Sequence, residues 1–245
     1  MNQNVFYPCY DKKSILFMLA LERILIHMKV ILGEDKELAV AAAAENIAHY
    51  MATDTWLFIS GGSSFQVFEK LDSILSDDQK SLTRLLLVDE RYGSEGHDNS
   101  NWNLFKSIDT AKYASIYPVL DDSESIQGCA SEYDEVVQMA FESDSQTVAI
   151  LGIGSDSHIA GIKPMKKNLF DKTFLDTNVS SYSAADYDRI TLTPSALMQL
   201  GLRVCFVAGS DKVPVVASLA IDRPIHDSPV HILKDLDNTV IYNVT

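Results

Sequence analysis

Positive charge is scarce in this chain: 20 Lys and Arg stand against 34 Asp and Glu, a formal net charge of −14 over 245 residues. A surface that acidic is no general platform for nucleic acid or for an anionic membrane. It leaves room for a small anionic ligand, because a few cations gathered in one pocket reverse the field locally. Cysteine is scarce as well. Cys9, Cys129 and Cys205 form no CxxC pair and no metal-ligand spacing, and reduced thiols of a cytoplasmic protein account for them. The histidines at 27, 49, 97, 158, 226 and 231 show no paired ligand spacing, so neither a metal nor a cofactor is expected. A G-x-S-x-G elbow is missing, and with it the indication of a serine nucleophile. The chain has no internal repeat, low-complexity tract or Pro/Gly linker, so one domain is expected.

Long apolar runs are also absent. Residues 14–21 are apolar but closely flanked by Asp11, Glu22 and Arg23, far too short for a membrane span, and followed by no small-residue cleavage site. Residues 1–27 are read as a helical N-terminal extension, such as an upstream start codon would add, and residues 28–245 as the domain. Deleting the extension is expected to leave a soluble, folded protein; an insoluble truncation would contradict this.

What is present is an ordinary globular composition, 47% hydrophobic and 22% charged, in a chain long enough to bury a substantial core. Strands are predicted at residues 29–32, 56–59, 85–88, 115–119, 147–151, 190–193, 204–208 and 240–244. Most are uniformly apolar rather than alternating, which indicates burial on both faces. Helical spacing runs from Glu34-Asp35 through Met51, from Phe65 to Leu75, and from Ser125 to Phe141. The alternation predicts an α/β fold, a mostly parallel sheet with helices on both faces.

Ligands of such sheets bind beyond the carboxyl ends of the strands. Four polar clusters fall there. Ser60-Gly61-Gly62-Ser63-Ser64 joins a strand to a helix and offers backbone N–H groups and hydroxyls to an anion; its plainer reading is a tight turn with a serine cap. Asp89-Glu90-Arg91 reads either as a solvated strand end or as an arginine placed for two-pronged contact with phosphate, followed by a polar loop through Asn101. Asp156-Ser157-His158 suits a general base oriented by a carboxylate, against an ordinary loop histidine or one capping a helix near Ile159. Lys212, and with it Arg189, complete a set of basic residues at strand ends. Converging with Arg91 and the glycine turn, they would make a compact pocket for a small phosphorylated metabolite.

In order along the chain, these motifs resemble those of the 6-phosphogluconolactonase family: Phe58-Ile59-Ser60-Gly61-Gly62-Ser63-Ser64, Val88-Asp89-Glu90-Arg91, Ser100-Asn101, Leu151-Gly152-Ile153-Gly154-Ser155-Asp156-Ser157-His158-Ile159-Ala160, Arg189-Ile190-Thr191-Leu192-Thr193 and Gly209-Ser210-Asp211-Lys212. The resemblance runs from about Met28 to the C-terminus. It implies the modified Rossmann-like fold shared with glucosamine-6-phosphate deaminase/isomerase, and hydrolysis of 6-phospho-D-glucono-1,5-lactone in the pentose phosphate pathway. His158 would be the catalytic base and Asp156 its orienter. Gly61, Gly62, Ser63, Ser64, Asp89, Arg91, Arg189 and Lys212 would bind the substrate. The expected partner is a small phosphorylated sugar lactone, and the expected assembly a monomer or small homo-oligomer.

Two features set the chain apart from the deaminase pattern. Arg91 follows the Asp-Glu pair where deaminases usually have Tyr, and Lys163 stands where they carry a catalytic Glu five residues after the histidine. Three features also depart from the lactonase pattern. Ser157 replaces the usual Gly between Asp and His, where a Cβ clashes if φ is positive. Ser64-Phe65 replaces Thr-Pro, and Ile159-Ala160-Gly161-Ile162-Lys163-Pro164 replaces Thr-Ala-Ser-Leu-Phe-Pro. These leave a divergent lactonase as the reading, beside a deaminase/isomerase-like enzyme and a non-catalytic sugar-phosphate sensor.

Overall fold

The computed structural model describes residues 28–120, 125–175, 177–234 and 236–245. The expectation for residues 1–27 lies outside them. Seven parallel strands form the main sheet in the order β1-β10-β9-β6-β2-β3-β5. Their ranges are β1 Met28–Gly33, β2 Thr55–Ile59, β3 Thr83–Leu87, β5 Ser115–Tyr117, β6 Gln146–Gly152, β9 Leu202–Ala208 and β10 Thr239–Val244. The central strands are as apolar as expected because neither face meets water: every residue of β2 is buried, and so are the five inner residues of β6. Each such Leu, Ile or Phe adds roughly 1.5–3 kcal/mol of burial.

Helix α1 (Lys36–Tyr50) is capped by the Asp35 side chain, which accepts from Leu38 N–H at 3.0 Å. Its buried Ala43 and Ala44 let it lie close to the sheet. It packs against α2 (Phe65–Ile74). The short α3 (Asp77–Ser81) follows, then α4 (Ile126–Glu142), α5 (Lys167–Thr173), α6 (Pro194–Gln199) and α7 (Val213–Ser218).

The strand order sets where a ligand can sit. From β2 the chain steps outward through β3 to β5; from β6 it steps the opposite way through β9 to β10. Right-handed crossovers therefore put the helices of the two runs on opposite faces of the sheet. The carboxyl ends of β2 and β6, which are neighbours, diverge and leave a crevice between them.

One expected strand belongs elsewhere. Residues 190–193 do not join the parallel sheet: β8 (Asp188–Leu192) sits in a separate antiparallel sheet between β4 (Asp89–Arg91) and β7 (Val179–Ser183). Asp89-Glu90-Arg91 is accordingly a strand of its own, not the frayed end of β3. Among the described residues no helix is long and apolar enough to cross a membrane. Cys129 and Cys205 are buried, and burial pushes the Cys205 thiol up to about 12.

Candidate active site

The crevice between β2 and β6 opens into a cleft of about 380 Å³, within the usual range of small-ligand pockets. One wall is Ser60, Gly61, Gly62 and Ser63 after β2; another is residues 152–155 after β6 with His158. The small sheet contributes Asp89, Arg91 and Arg189, and the turn after β9 contributes Lys212. Each of the four clusters expected at the sheet rim thus contributes to one cavity, the Asp156 cluster through His158.

The glycine turn folds as a 3-10 segment, Gly62–Ser64, running into α2, and Gly62 takes φ 69, open to glycine without strain. No serine caps the helix by its side chain. Ser64 is a correction to the expected binding set. Its hydroxyl is buried and donates to the carbonyl of Gly61 at 2.8 Å, so it braces the turn from behind and does not line the cleft.

Glu90 explains why Asp-Glu-Arg and Ser-Asn occur together. Its buried carboxylate accepts from Arg91 N–H (2.7 Å), Asn101 N–H (2.7 Å), the Ser100 hydroxyl (2.8 Å) and Trp102 N–H (3.0 Å). Burial pushes this carboxyl upward against those four donors. Aromatic packing reinforces the anchor, with Phe105 edge-on to Phe65, Phe68 and Trp102. Asn101 is thereby held against Gly61, where any Cβ would stand 2.2 Å from its Oδ1.

Arg91 and Arg189 face each other directly across β4 and β8. Like charges opposite one another in a sheet repel, and partial compensation comes from two carboxylates. Arg189 donates to Asp186 at 2.8 Å and lies 3.7 Å from Asp89; Arg91 donates to the carbonyl of Asn99 at 2.9 Å. Burial raises the Asp89 carboxyl, opposed by the charges of Arg91, Arg189 and His158. Three buried polar atoms of cleft residues have no partner among the described residues: Ser60 Oγ, Arg91 Nε and Arg189 Nε. Unpaired buried polar groups are rare, and these three belong to side chains that line the cleft.

His158 sits on a tight loop after β6, closed by bridges between Ile153 and Ile159 and between Ile159 and Ile162. No helix starts at Ile159; the next one is α5. The His158 ring lies 2.5 Å, through Nδ1, from Oδ1 of Asp156. That hydrogen bond draws the Asp156 carboxyl down to about 2. A carboxylate accepting from Nδ1–H fixes the tautomer whose Nε2 keeps its lone pair. Gly154 makes room for the pair: a Cβ there would lie 2.1 Å from the imidazole. Ser157, between the two, has φ 70, the left-handed conformation that makes a Cβ costly.

Two cleft residues had no sequence signal as ligands. Lys163 lines the cleft and donates to Asp186 at 2.7 Å, and Asp186 comes from the β7–β8 turn, a polar loop that only strand pairing carries to the site. The cleft gathers four basic side chains, Arg91, Lys163, Arg189 and Lys212, against the carboxylates of Asp89 and Asp186. Among the described residues no group of three or more His, Cys, Asp or Glu is placed to hold a metal ion.

Fold and site define an α/β protein with a cationic cleft at a strand-order reversal and a histidine–carboxylate pair on its rim. The chain belongs to the family of glucosamine-6-phosphate isomerases and 6-phosphogluconolactonases, whose family model matches residues 34–242. It is similar to a 6-phosphogluconolactonase of Xylella fastidiosa (strain 9a5c), with 28% identity over 195 residues that cover 74% of this chain and 78% of the relative. Its fold is that of a 6-phosphogluconolactonase from Shewanella baltica, at a TM-score of 0.75 and 18% identity over 87% of this chain and 97% of the other. The enzyme of the same name from Thermotoga maritima gives 0.72 and 23%, over 89% and 99%.

Proposed function

We propose that the chain hydrolyses 6-phospho-D-glucono-1,5-lactone to 6-phosphogluconate, a step of the pentose phosphate pathway, in the cytoplasm. The observation that carries this reading is the placement of His158, paired with Asp156, on the same cleft as Arg91, Arg189 and Lys212. Nε2 of His158 takes a proton from water as the water oxygen bonds to C1 of the lactone. The C1=O pair moves onto oxygen, and the cations and backbone donors of the cleft stabilise that charge. Collapse breaks the C1–O5 bond, and O5 recovers the proton from the imidazolium. The anionic Asp156 favours the imidazolium that forms between the two transfers.

Arg91, Arg189, Lys212 and the N–H groups of Gly62 and Ser63 hold the phosphate, with Asp89 tempering their charge. Both guanidinium-bearing side chains line the cleft. A deaminase reading is weakened by Lys163, since an ammonium cannot replace the carboxylate that assists ring opening. The test is a coupled assay on freshly prepared lactone. Hydrolysis well above the spontaneous rate is expected. A thermal shift with phosphosugars but no acceleration would instead favour a non-catalytic sensor, and ammonia release from glucosamine 6-phosphate would favour a deaminase.

A further inference from the structure

Lys163 is the one cleft cation that shares a loop with His158. It follows the Ile159–Ile162 turn that folds this loop back on itself, and its backbone N–H is fixed by the Tyr182 hydroxyl at 3.2 Å. Its ammonium is tethered to Oδ2 of Asp186, the same oxygen that accepts from Arg189. Burial works against ionisation of Asp186, yet the hydrogen bonds from Lys163 and Arg189 hold its carboxyl well below the usual range. Asp186 therefore acts as an internal anion within the cation cluster. The tether is within reach of a ligand, because the Lys163 side chain is 26% exposed and the Asp186 side chain 37%, and a ligand that offers another negative oxygen replaces one charge-assisted hydrogen bond with another.

The reacting end of the substrate supplies such an oxygen. The lactone is uncharged at C1; its carbonyl oxygen becomes an oxyanion during attack and part of a carboxylate in the product. We propose that Lys163 is a substrate-contacting residue of the reacting end: in the free protein Asp186 holds its ammonium within the cleft that His158 also lines, and the ammonium passes to the C1 oxygen as charge develops there. This rests on the lactonase reading and assigns the chain a cation for C1, one that Asp186 links in the free protein to Arg189 of the set that takes the phosphate. In support, the Asp156 carboxyl, lowered chiefly by its His158 hydrogen bond, is lowered further by the charge of Lys163, so that charge reaches the pair that handles the proton.

The test compares 6-phosphogluconate with glucose 6-phosphate by isothermal titration calorimetry, on the wild type, Lys163→Met and Lys163→Arg. Both ligands carry the same phosphate, and only the first has a carboxylate at C1. Lys163→Met is expected to weaken 6-phosphogluconate about tenfold, with glucose 6-phosphate unchanged within about twofold. Lactone kcat falls by a comparable factor at nearly constant KM, because the ground state lacks the charge that Lys163 contacts. Lys163→Arg recovers most of both. Equal weakening of the two ligands would make Lys163 a phosphate ligand and overturn the inference, as would no change in either. A wild type that binds neither ligand and hydrolyses no lactone would overturn the functional reading before any variant is made, and the inference with it.

Discussion

Ser157→Gly offers a quantitative check on how the loop that carries His158 is held. Ser157 sits at φ 70 between Asp156 and His158. The turn is pinned by main-chain bonds on both sides, with Ser157 N–H donating to the Gly154 carbonyl at 3.0 Å and Val230 N–H donating to the Ser157 carbonyl at 3.0 Å. Neither bond uses the hydroxyl, so glycine preserves both. A non-glycine residue in the left-handed region costs about 1–2 kcal/mol. Glycine returns roughly 0.5–1 kcal/mol of that through the extra freedom of the unfolded chain. The net gain is about 0.5–1 kcal/mol, which for a domain of this size raises Tm by about 1–4 °C. Differential scanning calorimetry measures it, and kcat is expected to stay within about twofold. An unchanged or lower Tm would refute the argument that this turn stores strain, and a large loss of activity would show that the hydroxyl has a role the hydrogen bonds do not reveal.

Asp156→Asn keeps an acceptor for Nδ1–H but removes the charge. Because the side chain is half-exposed, screening leaves only about 1 kcal/mol of the pairing that draws Asp156 to about 2, so kcat is expected to fall five- to tenfold. A depressed carboxyl stabilises the fold above its ordinary pKa and loses that contribution as pH falls through the depressed one. The stability gap between wild type and Asp156→Asn at pH 5, read by chemical denaturation, should therefore close as pH falls from about 4 toward 2. Glu90→Leu strands three donors, the N–H groups of Arg91 and Asn101 and the Ser100 hydroxyl, while Trp102 N–H keeps the Ser100 oxygen, at a cost of about 3–5 kcal/mol. A Tm drop near 10 °C is expected, together with a raised lactone KM as the loop from Arg91 to Asn101 loosens; thermal unfolding and steady-state kinetics check both.

The parallel sheet was legible because burial on both faces writes itself into sequence as short uniformly apolar runs, as in residues 56–59 and 147–151. The rim clusters were legible because Ser60–Ser64 and Asp89–Arg91 directly follow such runs and Asp156–His158 and Lys212 lie a few residues beyond them. The small sheet was not. Asp89, Glu90 and Arg91 are polar, β7 reads Val-Ser-Ser-Tyr-Ser, and both become strands only by pairing with β8, a contact across a hundred residues or nearly none. Three consequences of that pairing were hidden with it: the cross-strand meeting of Arg91 and Arg189, the arrival of Asp186 at the cleft, and the tether of Lys163. Ser64 misled for a different reason. Its place in a hydroxyl-rich turn marked it as a donor to ligand, whereas the 3-10 geometry of residues 62–64 turns its hydroxyl onto the Gly61 carbonyl. The cost of a Cβ at position 157 was foreseeable from its motif, and the positive φ bears it out.

The proposed role of His158 as the base for lactone hydrolysis is decided by turnover of fresh 6-phosphogluconolactone, measured on wild type and His158→Ala side by side. The variant is expected to lose roughly 10²–10⁴-fold in kcat with the Tm and phosphosugar binding retained. Near wild-type turnover by the folded variant would contradict it.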